Sequence, residues 1–179
     1  VQHSRQLRML RDMASRSADA KSPEQACHTS LDVLAGNDLD LPFCLLYLLD
    51  ANGDTARLAG SSRLPDTVPA TLPEQQPLCA ESGTDWPFAE ALRTGEDVVV
   101  KDLGQRLHGL PGGRWNKPPS LAVVRALTRP GQSRPSGFIV GGVSPRRLLD
   151  ASYHAFFQAT AEQVAASVAN ARAYQEERQ

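Results

Sequence analysis

The fold is decided by residues 41–62, which read LPFCLLYLLDANGDTARLAGSS. From Leu41 to Asp50 both alternating faces are mostly apolar, which is typical of a strand buried on both sides. The dipeptide Asn52-Gly53 follows, and it suits the positive φ angles of a tight hairpin turn. Thr55–Ser62 is then predicted to return as a second strand. This stretch therefore predicts an antiparallel hairpin in the core of the protein.

Further strands and helices surround this hairpin. Strands are predicted at Asp97–Lys101, Ser120–Thr128 and Ser136–Val143, and helices at residues 1–16, 23–35, 85–93 and from 148 onward. Neighbouring strands joined by hairpins form antiparallel sheets. The order predicts an α+β fold with a central antiparallel sheet. The N- and C-terminal helices are expected on one face, and the loops and short helix are expected to form a pocket on the other.

The two terminal helices carry apolar surface. In the first helix, Leu7, Leu10 and Ala14 form one stripe at helical spacing. In the last helix, an apolar seam over Leu149–Ala171 is wide enough to face the sheet, and small residues broaden it. The pattern fits packing within one chain or an interface between two copies. We expect a homodimer through these helices.

Composition and charge exclude several classes of protein. The chain has 179 residues, of which 41 % are hydrophobic and 22 % charged, with a formal net charge of −1. A disordered chain has fewer apolar residues and a larger charge imbalance. A nucleic-acid binder of the usual electrostatic kind has a marked positive excess. No apolar run approaches the roughly 18 residues of a membrane span. Nucleic acid and membrane are therefore not expected as partners of this fragment.

Cysteines and histidines show no metal or disulfide pattern. The three cysteines, Cys27, Cys44 and Cys79, include no CxxC pair, so a disulfide framework and a zinc site are not expected. The histidines lack metal-ligand spacing, and phosphate-loop, nucleophile and kinase signatures are absent. The sequence thus predicts a cytoplasmic protein without a metal or catalytic residues, and it identifies no cofactor. The missing initial Met and the charged helical end suggest an excised fragment.

Six segments match, in their order and spacing, one family of known domains. They are Phe43–Asp50 (FCLLYLLD), Trp86–Glu96 (WPFAEALRTGE), Val98–Leu103 (VVVKDL), Gly137–Pro145 (GFIVGGVSP), Leu148–Phe157 and Ala169–Arg178 (ANARAYQEER). Together they resemble a bacterial GAF domain. The last three resemble most closely the GAF modules that lie N-terminal to bacterial sensor histidine kinases.

The resemblance implies a sensory module for a small molecule in bacterial signal transduction. Its division would be an N-terminal signalling or dimerisation helix at residues 1–20, a GAF sensory domain at 21–171, and the start of a linker helix at 172–179. The signal would pass through the C-terminal helix, and catalysis would belong to a downstream kinase. Because the fold does not fix the ligand, the ligand has to be argued from the site.

Arg125 is the first candidate ligand residue. It interrupts the apolar strand Leu121–Leu127 (LAVVRAL), and a buried Arg needs a partner. Strand alternation places it on the same face as Leu121, Val123 and Leu127. One interpretation is that it points into the pocket and binds an anionic small molecule, because its planar guanidinium group can donate two hydrogen bonds to one anionic group. The other is a salt bridge to a loop carboxylate or a side chain that reaches solvent.

The other candidates lie on the predicted pocket-side loops. They are Trp86, Phe88, His108, Arg114 and Trp115. Aromatic side chains there can line a ligand cavity, and Arg114 beside Trp115 gives the loop cationic character. The alternative for Trp86 and Phe88 is simple packing of the short helix on the sheet.

Other readings of the same fold remain open. A thiol-dependent reductase of the free methionine sulfoxide reductase type would use Cys44 and Cys79, although their spacing does not resemble that of the family. A bilin chromophore would need a Cys-His pair after the sheet, whereas Cys27-His28 lies before it. Asn116-Lys117 alone is too little for a cyclic-nucleotide site. A dimerisation spacer without ligand is the last alternative.

Overall fold

Six antiparallel strands form one sheet in the computed structural model, which describes residues 2–37, 39–64, 74–78, 86–103, 119–131, 134–144 and 148–178. Its elements are α1 (Gln2–Ser17), α2 (Pro23–Ala35), β1 (Cys44–Leu49), β2 (Thr55–Ser62), β3 (Gln75–Pro77), α3 (Phe88–Thr94), β4 (Val98–Val100), β5 (Leu121–Ala126), β6 (Gly137–Val143) and α4 (Ala151–Glu177). The strand order is β3-β2-β1-β6-β5-β4. The predicted α+β fold with a central antiparallel sheet is confirmed.

The hairpin of β1 and β2 lies at the centre of the sheet. Cys44 pairs with Ser62 and Leu49 with Ala56, and the register shifts between Leu46 and Tyr47. Gly53 in the turn has a φ of 76°, as expected, whereas Asn52 has no positive φ, so the turn is not the type with two positive φ angles that suits Asn-Gly. On its other side β1 pairs with β6.

Gly137 permits the close approach of β6 to β1. A Cβ atom at this position would lie 1.8 Å from the carbonyl oxygen of Tyr47. Since no side chain fits there, glycine is required at the start of β6.

Three helices cover one face of the sheet. Ser22 caps α2, because its Oγ accepts a hydrogen bond of 3.1 Å from the backbone N–H of Gln25. The Gln25 side chain accepts one of 2.9 Å from the backbone N–H of Lys21, the residue before the cap. Asp150 caps α4 through the backbone N–H of Tyr153 at 2.9 Å.

Among the described residues, no helix combines the length and the apolar character needed to cross a bilayer.

The sheet separates two hydrophobic cores. On the helical side, buried residues of α1, α2 and α4 pack on β1, β5 and β6 through side chains such as Met13, Leu34, Leu46, Ile139 and Phe157. On the opposite side, α3 packs on the sheet through a core that includes Phe43, Tyr47, Phe88, Val124 and Phe138. Burial of apolar surface on both faces is the main source of stability of this fold.

Polar contacts join α1 to α4. The hydroxyls of Ser17 and Ser167 lie 2.8 Å apart where the helices meet. Arg5 of α1 forms an ion pair of 3.1 Å with the buried carboxylate of Asp40. The phenol of Tyr153 donates to the carbonyl oxygen of Asp40 at 3.0 Å. Asp40, in the segment before β1, therefore contacts both terminal helices: its carboxylate pairs with Arg5 of α1, and its carbonyl oxygen accepts from Tyr153 of α4.

Candidate functional site

The sheet face opposite the helical layer carries four packed aromatic side chains. Phe88 of α3 stacks on Phe138 of β6, with ring centroids 4.3 Å apart and an interplanar angle of 12°. Tyr47 of β1 meets Phe88 edge to face at 5.0 Å. Trp86, which is 4 % exposed, belongs to the same core. We call Tyr47, Trp86, Phe88 and Phe138 the aromatic cluster. Both arrangements are favourable for aromatic rings.

Gln76 holds Trp86 in place. Its side-chain Nε2 donates to the carbonyl oxygen of Trp86 at 2.8 Å, and its Oε1 accepts from the backbone N–H of Trp86 at 3.0 Å. Gln76 is buried in β3, so these two bonds satisfy its amide away from water. The pair anchors the aromatic cluster to the edge strand of the sheet.

Half-buried apolar side chains surround the aromatic cluster. They are Leu49, Leu58, Leu64, Leu78 and Val98. Val124 and Ala126 of β5 and Val140 of β6 are buried on the same face. The half-buried side chains at the margin of this core can contact an apolar or aromatic group rather than a charged one.

The Tyr47 phenol is a buried polar group within the aromatic cluster. Burial raises the pKa of Tyr47 to about 12, and its contact with the Trp86 side chain offsets part of this rise. Tyr47 is therefore a neutral phenol near pH 7 and keeps its O–H. Sequence reasoning did not identify it, since it reads as one more member of an apolar strand.

Arg125 does not join the aromatic cluster. Strand alternation places Val123 and Leu127 in the helical-side core, and Arg125 points to that same side. Its Nη1 lies 2.8 Å from Oδ1 of Asp97, with exposures of 15 % for Arg125 and 5 % for Asp97. Arg125 therefore lies on the face of the sheet opposite the aromatic cluster, and the expectation that it points into a pocket on the side of that cluster is wrong. The alternative interpretation, a salt bridge to a loop carboxylate, describes the structure.

The pairing of β4 with β5 explains this ion pair. Val98 pairs with Val124, so Asp97, one residue earlier, stands across from Arg125. Opposite charges at such cross-strand positions attract. The other carboxylate oxygen of Asp97 contacts Nδ1 of His154 in α4. We call Arg125, Asp97 and His154 the polar triad, and it links the edge of the sheet to the first turn of the last helix.

The sequence-predicted site residues thus fall into three groups. The structure brings Trp86 and Phe88 together in the aromatic cluster. It places Arg125 on the opposite face of the sheet. His108, Arg114 and Trp115 lie outside the described residues. A ligand-binding role for Trp86, Phe88, His108, Arg114 and Trp115 stays a prediction.

Comparison with protein families agrees with this architecture. The model of the GAF domain family matches residues 20–169, which is most of the chain. The chain belongs to the GAF domain family. GAF domains are a sensory, small-molecule-binding fold of signalling proteins. No curated protein matches the sequence.

Solved structures show the same fold at low sequence identity. The GAF domain of a phosphoenolpyruvate-protein phosphotransferase from Coxiella burnetii is 18 % identical, with a TM-score of 0.66 over 95 % of this chain and 96 % of its own. Free methionine-R-sulfoxide reductase from Neisseria meningitidis is 16 % identical, with a TM-score of 0.63 over 92 % and 89 %. The phycoerythrobilin-bound GAF domain of a cyanobacterial phytochrome is 16 % identical, with a TM-score of 0.60 over 94 % and 96 %. At such identities the likeness shows the fold alone.

Two cysteines of this GAF domain are buried thiols. Burial raises the pKa of Cys44, in the central strand, to about 12. Burial, followed by the nearby charge of Glu24, raises the pKa of Cys27 to about 12. A thiol is nucleophilic as its thiolate, so neither group is activated for attack near pH 7. Cys79 lies outside the described residues.

Neither of the two described cysteines, Cys27 and Cys44, lies on the aromatic side of the sheet. Cys27 belongs to the helical-side core, and His28 beside it is exposed on α2. The pair therefore lies across the sheet from the aromatic cluster. In the described part of the GAF domain, no group of three His, Cys, Asp or Glu residues lies close enough to hold a metal ion.

Proposed function

We propose that this GAF domain is a cytoplasmic sensory module of a bacterial signalling protein and that it binds a small molecule over the aromatic cluster. The observation that carries the proposal is the apolar core around Tyr47, Trp86, Phe88 and Phe138, on the side of the sheet opposite the three long helices, with half-buried apolar side chains at its margin. This surface favours a ligand with an aromatic or apolar body. An anionic group on the ligand stays a prediction that depends on Arg114, since Arg125 is engaged by Asp97.

The polar triad offers a route from this face to the last helix. Val124 and Ala126 of β5 face the aromatic side, whereas Arg125 between them faces the helical side. A ligand that moves β5 would also move Arg125 and, through Asp97, the contact with His154. Binding would then bias α4 between two packings, which is how a ligand shifts a two-state element.

The last helix is suited to carry this signal onward. α4 is one continuous helix of 27 residues, and its buried positions end at Ala171. None of residues 172–178 is buried. We propose that this end leads towards the output domain of a sensor histidine kinase, as the resemblance of Ala169–Arg178 implies. The reading frame after residue 179 tests this, because such an output requires a phospho-accepting His and an ATP-binding domain.

Dimerisation through the terminal helices is part of the proposal. Leu7 of α1 is 48 % exposed, and Ala14 on the same stripe is also exposed. These apolar residues are left unburied within one chain, which supports a second copy as their cover. Leu7→Glu should shift the protein to monomer in sedimentation equilibrium, whereas Arg8→Glu, at a neighbouring exposed position, should not. A wild-type monomer at high concentration would refute the dimer.

We further propose that the domain itself is not an enzyme. The thiol-dependent reductase needs a thiolate near the site, and Cys44 is a fully buried thiol. A dimerisation spacer without ligand is a better supported second candidate. The tight stacking of Phe88 on Phe138, both 0 % exposed, means that protein side chains fill this part of the face.

A matched pair of variants separates the sensor from the spacer. Val98 is half-buried beside the aromatic cluster, whereas its neighbour Val99 points to the other face of β4. With indole and a panel of aromatic metabolites as probes, we expect a compound that raises the melting temperature of wild type and of Val99→Phe, but not of Val98→Phe. If no probe raises the melting temperature of the wild type, the spacer is favoured and the sensor proposal fails.

A further inference from the structure

A groove lies at the end of the sheet where four elements meet. The β1–β2 turn, α3, the β5–β6 turn and the last turns of α4 enclose a volume of about 740 Å³. Pockets for small molecules commonly have 300 to 1,000 Å³ as an order of magnitude. We call this the tip groove. Of the residues around the aromatic cluster it includes only Leu49, so it is a separate surface.

Two arginines from different elements line the tip groove. Arg134 comes from the β5–β6 turn and Arg172 from α4. Within the described residues neither has a carboxylate within ion-pair distance, whereas Arg5, Arg57 and Arg125 each have one. The Nη2 of Arg134 lies 3.2 Å from the position that a Cβ atom on Gly53 would occupy. Its guanidinium therefore rests against the β1–β2 turn, at the wall of the groove.

The two carboxylates that line the tip groove, those of Asp50 and Glu176, do not form ion pairs with its arginines. Oδ1 of Asp50 accepts hydrogen bonds from the backbone N–H groups of Asp54 at 3.0 Å and Thr55 at 3.4 Å. It is thus engaged in forming the turn. Glu176 is exposed on the last turn of α4. Neither acid is paired with Arg134 or Arg172.

Apolar side chains complete the walls. Leu92 of α3 is 40 % exposed, which is unusual for a large apolar residue in this protein, and it lines the groove. Ala169 and Ala173 of α4 and the half-buried Leu49 line it too. An exposed apolar wall beside unpaired guanidinium groups fits a molecule that has both an apolar body and an anionic group.

From this arrangement we propose that the tip groove binds a small amphipathic acid, a carboxylate or phosphate on an apolar body. Arg134 and Arg172 hold the anionic group, and Leu92 contacts the apolar body. Because Arg172 belongs to α4, the bound acid connects the turns of the sheet to the last helix. The site is a second input to that helix, independent of the aromatic face.

Titration of the ¹⁵N-labelled chain by NMR tests the proposal. The probe is phenylacetate, with the neutral phenylacetamide and inorganic phosphate as comparisons. We expect saturable shifts of the Gly53, Leu92 and Ala173 amides with phenylacetate, and weaker binding of both comparison compounds. Arg134→Gln and Arg172→Gln should each weaken phenylacetate binding by about tenfold, as expected for loss of one charge-assisted hydrogen bond.

The matched controls are Arg129→Gln and Arg178→Gln, which remove exposed arginines of the same turn region and the same helix outside the groove. Both should bind phenylacetate like wild type. Unsaturable shifts, equal binding of phenylacetamide or phosphate, or undiminished binding in both groove variants would overturn the proposal. Melting temperatures of the variants show whether each is folded, so that lost binding is not confused with unfolding.

Discussion

Asp97 stands across the β4–β5 ladder from Arg125, and the two side chains form an ion pair with 2.8 Å between Oδ1 and Nη1. The same carboxylate contacts His154 at the start of α4. One acidic side chain therefore connects the edge of the sheet to the helix that leaves the domain. The ion pair also explains how an arginine is accommodated inside an apolar strand without a ligand.

Loss of this carboxylate should destabilise the domain. In Asp97→Asn, the largely buried Arg125 loses its countercharge, and we expect the free energy of unfolding to fall by about 2 kcal/mol. Urea denaturation measures this change. The Arg57–Glu24 pair is the matched control, with exposures of 47 % and 45 %. Glu24→Gln should cost less than about 1 kcal/mol, because exposed pairs contribute little. Equal losses in both variants would contradict a special role for Asp97.

The sequence predicts what is local and misses what depends on neighbours in space. The hairpin follows from an apolar run and Asn-Gly, and β2 spans Thr55–Ser62 as predicted. The face of Arg125 depends on which layer covers which side of the sheet, and alternation alone does not tell this. Alternation correctly predicts that Arg125 shares a face of the sheet with Val123 and Leu127, but that face packs against the helices.

Other misses have the same physical origin. β3 has only the residues Gln75–Pro77 and no hydrophobic period, and it is held by the contact of Gln76 with Trp86. In α1 the buried residues include Met9 and Met13, whereas Leu7 is exposed. Spacing identifies an apolar stripe of a helix, but the packing against α2 and α4 decides which side is buried.

Removal of the Gln76 amide should loosen the aromatic cluster. Gln76→Ala removes the acceptor of the buried Trp86 backbone N–H, whereas the Trp86 carbonyl keeps its hydrogen bond of 2.8 Å from the backbone N–H of Phe88, and the loss should cost about 1 to 3 kcal/mol in unfolding free energy. The fluorescence of Trp86 should also change, and a Trp115→Phe background assigns the signal to it. Gln75→Ala, at the exposed neighbouring position, is the control and should be near neutral. If both substitutions are neutral, Gln76 does not anchor the cluster.

Alkaline pH should reveal the buried phenol. Burial raises the pKa of Tyr47 from 10.0 to about 12, so the folded protein retains this proton at a pH where the unfolded chain releases it. The contribution to stability is fully present below pH 10 and is lost as the pH rises from 10 towards 12. As the pH nears 12, the free energy of unfolding has fallen by roughly 2 to 3 kcal/mol, because each unit of pKa difference corresponds to about 1.4 kcal/mol.

Urea denaturation at pH 9 and pH 11 measures this loss. Tyr47→Phe should lose less stability than wild type between these two values, because the group that titrates in the unfolded chain is gone. Tyr174→Phe, a tyrosine of the last turns of α4, is the control and should behave like wild type. A Tyr47→Phe variant with the full wild-type loss would show that Tyr47 ionises as freely in the folded state as in the unfolded chain.

Thiol labelling distinguishes a buried structural cysteine from a catalytic one. Burial raises the pKa of Cys27 and of Cys44 to about 12, so neither thiol should react with iodoacetamide at pH 8 in the folded protein. A Cys79→Ser variant restricts the measurement to these two residues. Mass spectrometry should find it unlabelled when folded and doubly labelled in urea. Rapid modification of Cys44 in the folded variant would contradict its inert character and would favour the thiol-dependent reductase, since that activity requires an accessible thiolate.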